Sequence, residues 1–241
     1  MKSVKLYALG LIGLLSIGLA ISCTKSFDEK TTQQKDFNGS TIVQVVNTIV
    51  NASRNYVYVD GVPVNGAPMI SGSIFPTTGY GFSIPPGIRA FLIRDTLGAT
   101  TQVPLSFAEN LAAGRHHTIF IYDTITSPKQ KTVQDNIVIP TDTTARLRFA
   151  NFIYNPFDIP AVDVYSFKAA ANLFTNIPIT GVTEFVPYPS LVTDTLYIRE
   201  TGTMNQLYKL TVGGLTPKRN YTFVYRGSHR GTRTSSLYAT Y

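Results

Sequence analysis

The residues from which chemistry could be built are few: His116, His117 and His229, the adjacent pair Ser228-His229, the glutamates Glu109, Glu184 and Glu200, and the single cysteine, Cys23. His116 and His117 are neighbours on an expected strand, so they point to opposite faces and cannot chelate one ion together. There is no EF-hand loop and no His-x-x-x-His spacing. No transition-metal site is expected, and scattered aspartates would at most hold a calcium in a loop. The run Gly227-Ser228-His229-Arg230-Gly231 sets a nucleophile beside a base but has no evident orienting acid. It is not the Gly-x-Ser-x-Gly elbow of a hydrolase and reads as a hairpin loop. A glycosidase needs two carboxylates a few ångströms apart. The three glutamates qualify by type alone, and nothing in the spacing pairs them. The chain is therefore expected to be no enzyme and to carry no cofactor.

Recognition is the other chemistry to test for. Phe152, Tyr154 and Phe157 lie in one loop, where aromatic side chains could stack on a sugar or anchor a protein partner. The competing reading is that they plug their own core or a domain interface. Tryptophan, the commonest sugar-stacking platform, is absent. Basic residues concentrate near the end, at Lys218, Arg219, Arg226, Arg230 and Arg233, with Tyr221, Phe223 and Tyr225 between them. Such interleaving can mark nucleic-acid binding. An exported chain would sooner meet anionic lipopolysaccharide or acidic glycan, and the blandest reading is a solvated hairpin face. No nucleic-acid partner is expected.

Export follows from the first residues. Lys2 and Lys5 precede the apolar run Leu6 to Ile21, and a small residue, Ser22, stands before Cys23. This is the charged, apolar and small-residue order of a secretory signal. The run is shorter than the roughly 20 apolar residues a membrane span requires. One cysteine cannot make an internal disulfide. Leu19-Ala20-Ile21-Ser22-Cys23 resembles the lipobox of the lipoprotein signal-peptide family, with Leu19 one place earlier than the usual leucine. The resemblance implies cleavage before Cys23, lipidation at Cys23 and a membrane partner reached through that lipid. The alternative is an ordinary signal with Cys23 incidental. Thr24 in place of an inner-membrane retention Asp implies the outer membrane, on its periplasmic or surface face. Residues 24–41 are polar and too poor in apolar side chains to offset their ordering entropy, so they read as a flexible tether. The precursor carries a net charge of +7; without Lys2 and Lys5, 19 basic against 14 acidic residues leave +5.

Beyond the tether the chain repeats itself. Val43 to Asn47 answers to Leu147 to Asn151, and Ile93-Arg94-Asp95-Thr96 to Ile198-Arg199-Glu200-Thr201, at an offset of 104 or 105 residues. Val57-Tyr58-Val59 similarly answers to Val162-Asp163-Val164, and Leu111, Arg115 and Thr118 to Leu215, Arg219 and Thr222. Units of about 100 residues can hold their own core. The elements are short strands divided by Gly and Pro: Tyr56 to Val59, Asp60-Gly61, Val62 to Val64 is a hairpin with Pro63 on an edge strand. A further strand is expected at Asn136 to Ile139, before a Pro/Thr join at residues 140–144. The expected class is all-β: a signal peptide (1–22), a tether (23–41), and two tandem immunoglobulin-like β-sandwich domains (42–140 and 141–241).

Two motifs refine this. Leu215-x-Pro217-x-x-x-Tyr221 resembles the corner of immunoglobulin and fibronectin-type sandwiches, where a tyrosine hydroxyl ties a turn to the backbone. His117 occupies the place of Tyr221 in the first repeat, which makes it a corner residue sooner than a ligand. Asn155-Pro156-Phe157-Asp158-Ile159-Pro160-Ala161-Val162-Asp163-Val164-Tyr165, after a strand ending at Asn151, resembles the opening of domain-of-unknown-function family 4397. That resemblance implies extracytoplasmic β-sandwiches, often in tandem and often on lipoproteins, and brings no established activity. The function expected is a non-enzymatic module of the cell envelope that binds or adheres to surface glycan or an envelope protein. A structural or accessory component without a small ligand is the alternative. If a binding surface exists, the comparison of repeats places it around Tyr154 and Phe157.

Overall fold

The computed structural model describes residues 39–52, 54–78 and 80–241. The signal peptide, Cys23 and the tether up to residue 38 lie outside the described residues. Thr41, at the expected end of the tether, is already buried as the first residue of a strand, its hydroxyl donating to the Arg115 carbonyl at 3.0 Å.

Two strands organise everything else. β1 (Thr41–Asn47) and β10 (Ala145–Asn151) are short, largely apolar runs that both end on Asn. β1 pairs in parallel with β8 (His116–Thr124), and β10 in parallel with β16 (Asn220–Gly227). Parallel strands are covered on both faces, and their sequences read as nearly continuous buried runs. In the first half β4 (Ile74–Phe75), β1, β8 and β9 (Ser127–Asp135) form one sheet, with β5 (Phe82–Ile84) also on β1. β3 (Val62–Pro63), β2 (Tyr56–Val59), β6 (Gly87–Arg94) and β7 (Leu105–Leu111) form the other. The second half repeats the plan. Its sheets are β13 (Val186–Tyr188), β10, β16, β17 (Arg233–Ala239) and β12 (Ala171–Ile177), β11 (Val162–Ser166), β14 (Asp194–Glu200), β15 (Gln206–Val212). No α-helix occurs among the described residues, so the all-β class stands.

Side-chain alternation makes these four sheets a stack. Val43 and Val45 of β1, with Ile119 and Ile121 of β8, face Val57, Phe91 and Ile93 across the first sandwich. Leu147, Phe149 and Phe223 face Val164, Leu196 and Ile198 across the second. The intervening residues point the other way: Val46 and Phe120 pack on Ala150, Phe152 and Val224 in a third cluster that joins the halves. β1, β8, β10 and β16 therefore lie in the two inner layers. The described residues all fall in one compact unit.

The seam between the inner sheets is also polar. Arg148 of β10 and Asp135 of β9 form an ion pair at 2.6 Å, both side chains buried. The same guanidinium donates to Thr222 at 2.8 Å and Thr118 at 2.9 Å, and Thr118 donates to Asp135 at 2.8 Å. Lys131 and Gln44 of the first half donate to the carbonyls of Thr180 and Ala239 in the second.

Two sequence expectations are corrected, and one point the sequence left open is decided. First, the strand order, which the sequence left open, is not the ABED over CFG order of an immunoglobulin domain. In the second half the order by chain position is fourth-first-seventh-eighth over third-second-fifth-sixth. The corner motif is real: Thr216 N donates to the Tyr221 hydroxyl at 3.1 Å, and Leu215 is buried in the core. It marks a crossing from one sheet to the other and carries no information about the order within either. Second, Asn136 to Ile139 is not a strand. Val138 is instead pinned by the Asn220 side chain, which accepts from its N–H at 3.2 Å and donates to its carbonyl at 2.8 Å. Third, Val57 pairs with Ile93 and Val164 pairs with Ile198, so the counterpart of Val57 is Val164, two residues beyond Val162. Side chains alternate with period two, so a two-residue slip keeps every face and is silent in the sequence. The slip lengthens the loop after β10, the segment that carries Phe157.

The Asp60-Gly61 hairpin forms as expected, with φ of 50° and 82°, the two left-handed residues of a type I′ turn. β3, with Pro63, is an edge strand.

Candidate functional site

The residues weighed for catalysis and metal binding have structural occupations. His117 is buried, with Nδ1 3.0 Å from the Thr41 hydroxyl. It stands opposite Val43 as Tyr221 stands opposite Leu147, the corner position in each half. His116 faces the other way and lies edge-on to Tyr241. Burial holds the pKa of both histidines below the ordinary value. Glu109 accepts from Gln130 at 2.9 Å and Glu184 from Asn136 at 3.0 Å. Among the described residues no three His, Cys, Asp or Glu side chains gather as metal ligands.

The repeated motifs also resolve into architecture. Asn47 donates to the carbonyls of Met69 and Ile70 and accepts from Ile49 N. Asn151 does the same with Ile177 O and Ile153 N. Each Asn closes the end of its parallel strand. Asp163 accepts from Asn176 N at 2.8 Å, Thr201 Oγ1 at 3.0 Å and Gly202 N at 3.2 Å. Burial raises its pKa, and these bonds outweigh that and leave it below the usual carboxylate value. The motif aspartate clamps the end of β12 and the turn after β14.

The three aromatic candidates separate. Phe152 is 2% exposed and stacks on Phe120 with ring centroids 4.4 Å apart. It belongs to the seam and presents no face to an outside ligand, so it leaves the candidate set. The other two candidates do not follow it inward. Tyr154 is half-buried and continues the parallel pairing of β10 with β16 through a bridge to Ser228. Its N–H donates to Gly227 O, and its carbonyl accepts from His229 N. Phe157 is 57% exposed, with the Arg230 guanidinium 4.2 Å from its ring centroid.

The basic cluster separates too. Lys218 and Arg219 precede β16, and Arg219 lies over Tyr80 at 5.0 Å. Arg226, Arg230 and Arg233 lie at the other end of β16 and in the hairpin to β17. A strand of that length sets the two groups roughly 20–25 Å apart. One run of charges in sequence is thus two sites in space.

What collects at the far end is a cleft. The chain leaves β1 at Asn47, β8 at Thr124, β10 at Asn151 and β16 at Gly227. Asn51, Ser71, Thr124, Tyr154, Arg226 and Ser228 line a common opening of about 560 Å³, so both halves contribute. That volume lies within the range of small-ligand sites. Its lining is hydroxyl-rich and holds no carboxylate. Arg226 Nε donates to Ser236 at 2.8 Å, and burial lowers its pKa from the ordinary arginine value. A second, smaller hollow of about 440 Å³ lies at the opposite end, beside Ser40, Tyr80, His116 and Tyr241. Of the cleft residues, Tyr154 and Arg226 were visible in sequence by type. Asn51, Ser71 and Thr124 were not, because they come from the first half and only the packing of the halves brings them there.

No family model matches the chain, and no curated protein matches it. Among solved structures it is similar to the CBMbc module (family CBM26) from Eubacterium rectale Amy13K, in complex with maltoheptaose. The identity is 9% and the TM-score 0.27, over 84% of this chain and 97% of that one. At that score the likeness carries no argument about function.

Proposed function

We propose that this chain is a non-enzymatic binding module of the cell envelope, exported, lipidated at Cys23 and held on the outer membrane, with its ligand surface at the end of the stack where Tyr154 and the 227–233 hairpin meet the first half. The observation that supports this reading is the cleft itself: hydroxyl-rich, open, of ligand size, and built from both halves. Its position suits a tethered protein. The described chain enters at Gly39, beside the start of β1, and the cleft lies past the end of β1. An anchor upstream of Gly39 would therefore join the stack at the end opposite the cleft. The lining of the cleft holds no carboxylate, which supports reading it as a surface that holds a ligand.

Two expected results test the reading. Cys23→Ala will move the chain from the membrane to the soluble fraction; retention of the variant on washed membranes refutes the anchor. Tyr154→Ala with Phe157→Ala will abolish binding of the full chain to an array of bacterial surface glycans, while the melting temperature stays within a few degrees. Loss of binding only together with loss of folding would make these rings structural. Absence of binding in the parent chain favours the alternative, an envelope component whose locked double sandwich serves as a spacer.

A further inference from the structure

We infer that Arg226 anchors an anion subsite in the cleft between the halves, and that the ligand is an acidic glycan carrying a carboxylate or a phosphate. This rests on the binding-module reading above and names the ligand class. Arg226 is the penultimate residue of β16, one place past the core residue Tyr225, so it faces away from that core. Its guanidinium is positioned from both halves. Nε donates to Ser236 of β17. The planar group lies over Gly72 of the first half, where any side chain would collide with it and where φ is +88°. Gly72 N in turn donates to Asn47 O at 2.6 Å, which ties this loop to the end of β1.

Four ion pairs occur among the described residues, formed by Arg54, Arg89, Lys129 and Arg148, and Arg226 is in none of them. A guanidinium carries five N–H donors. Among the described residues only Nε of Arg226 meets an acceptor; the terminal nitrogens meet none there, and neither is sealed from solvent. A half-buried cation without a counter-charge, held in a fixed orientation, is costly unless something completes it. The planar fork fits a carboxylate or phosphate with two parallel hydrogen bonds. The rest of the lining selects what carries that anion. Ser71, Thr124, Ser228, Thr232 and Thr234 supply hydroxyls, and Tyr154 supplies an aromatic wall. These suit the hydroxyls and the apolar face of a sugar ring. Arg230 in the adjoining hairpin lies on Phe157, and Arg233 donates to the carbonyls of His229 and Leu207, so Arg226 is the cation of this lining.

The experiment is calorimetric titration of the purified full chain in detergent with four probes: trigalacturonate, glucose 1-phosphate, neutral maltotriose and a hexaglutamate peptide. Trigalacturonate or glucose 1-phosphate will bind, and which of the two binds identifies the anion. Arg226→Gln will weaken that binding roughly ten- to a hundredfold. Arg226→Lys, which keeps the charge and loses the fork, will fall between. Arg219→Gln, at the opposite end of β16, will leave it unchanged. Should Arg226→Gln lower the melting temperature by more than a few degrees, Ser236→Ala takes its place, releasing Nε without removing charge, with a severalfold loss expected. Equal affinity for maltotriose, or full affinity in a stable Arg226→Gln chain, overturns the subsite. If maltotriose alone binds and Tyr154→Ala removes it, the binding-module reading survives and this inference does not. Preference for hexaglutamate overturns the glycan assignment, and failure of all four probes overturns the subsite.

Discussion

Arg148→Ala will destabilise the chain by about 3–5 kcal/mol in denaturant unfolding, while Arg148→Met combined with Asp135→Leu will cost far less. The single change removes a guanidinium that is buried together with its partner. Asp135 is then left as a buried carboxylate whose remaining side-chain bond is from Thr118. Thr222 loses a donor as well. The double change removes both charges and with them the desolvation cost that the pair had to offset. The position makes the effect more than local. Asp135 ends β9 in the first half, and Arg148 is in β10 of the second. Loss of the pair will therefore loosen the seam, and limited proteolysis between residues 137 and 143 will accelerate in the single variant. A single variant within 1 kcal/mol of the parent would mean that water reaches the pair and that the seam is not held by it.

Phe152→Ala will cost about 3–5 kcal/mol, the range for removing a fully buried aromatic ring, while Phe157→Ala will stay within about 0.5 kcal/mol, as exposed positions do. The two residues lie in the same loop of the sequence and differ only in where the fold puts them. Phe152 stacks on Phe120 at 4.4 Å and leans on Tyr122 at 5.4 Å, so its removal opens a cavity between the inner sheets. Phe157 touches the Arg230 guanidinium at the surface. Thermal unfolding of both variants, read beside glycan binding, separates the roles. Phe152→Ala should lose stability first, and Phe157→Ala should lose affinity alone. A Phe152→Ala chain that melts with the parent would return this ring to the ligand surface.

The sequence was informative where the physics is local. Asp60-Gly61 specifies its turn because two successive left-handed residues need those side chains or none. Pro63 specifies an edge because it has no N–H to donate. Leu215 and Tyr221 specify a corner because one hydroxyl reaches one backbone N–H five residues earlier. The match of Asn47 with Asn151 marks equivalent strand ends, since the same side chain closes both. Together with the frequent Gly and Pro these features determined an all-β chain.

Only the tertiary structure decided which strands are neighbours, because a corner or a turn constrains a few residues and says nothing about partners 74 residues away, such as Val43 and His117. It alone moved the counterpart of Val57 by two residues, a change that alternation conceals. It alone divided Phe152 from Phe157 and Arg219 from Arg226, since proximity along an extended strand becomes distance in space. The cleft itself has no sequence signature. Asn51, Ser71 and Thr124 are unremarkable polar residues until Val46, Phe120, Ala150, Phe152 and Val224 bury against one another and bring them to Arg226. What the halves share was written in each of them; what they form together exists only where they pack.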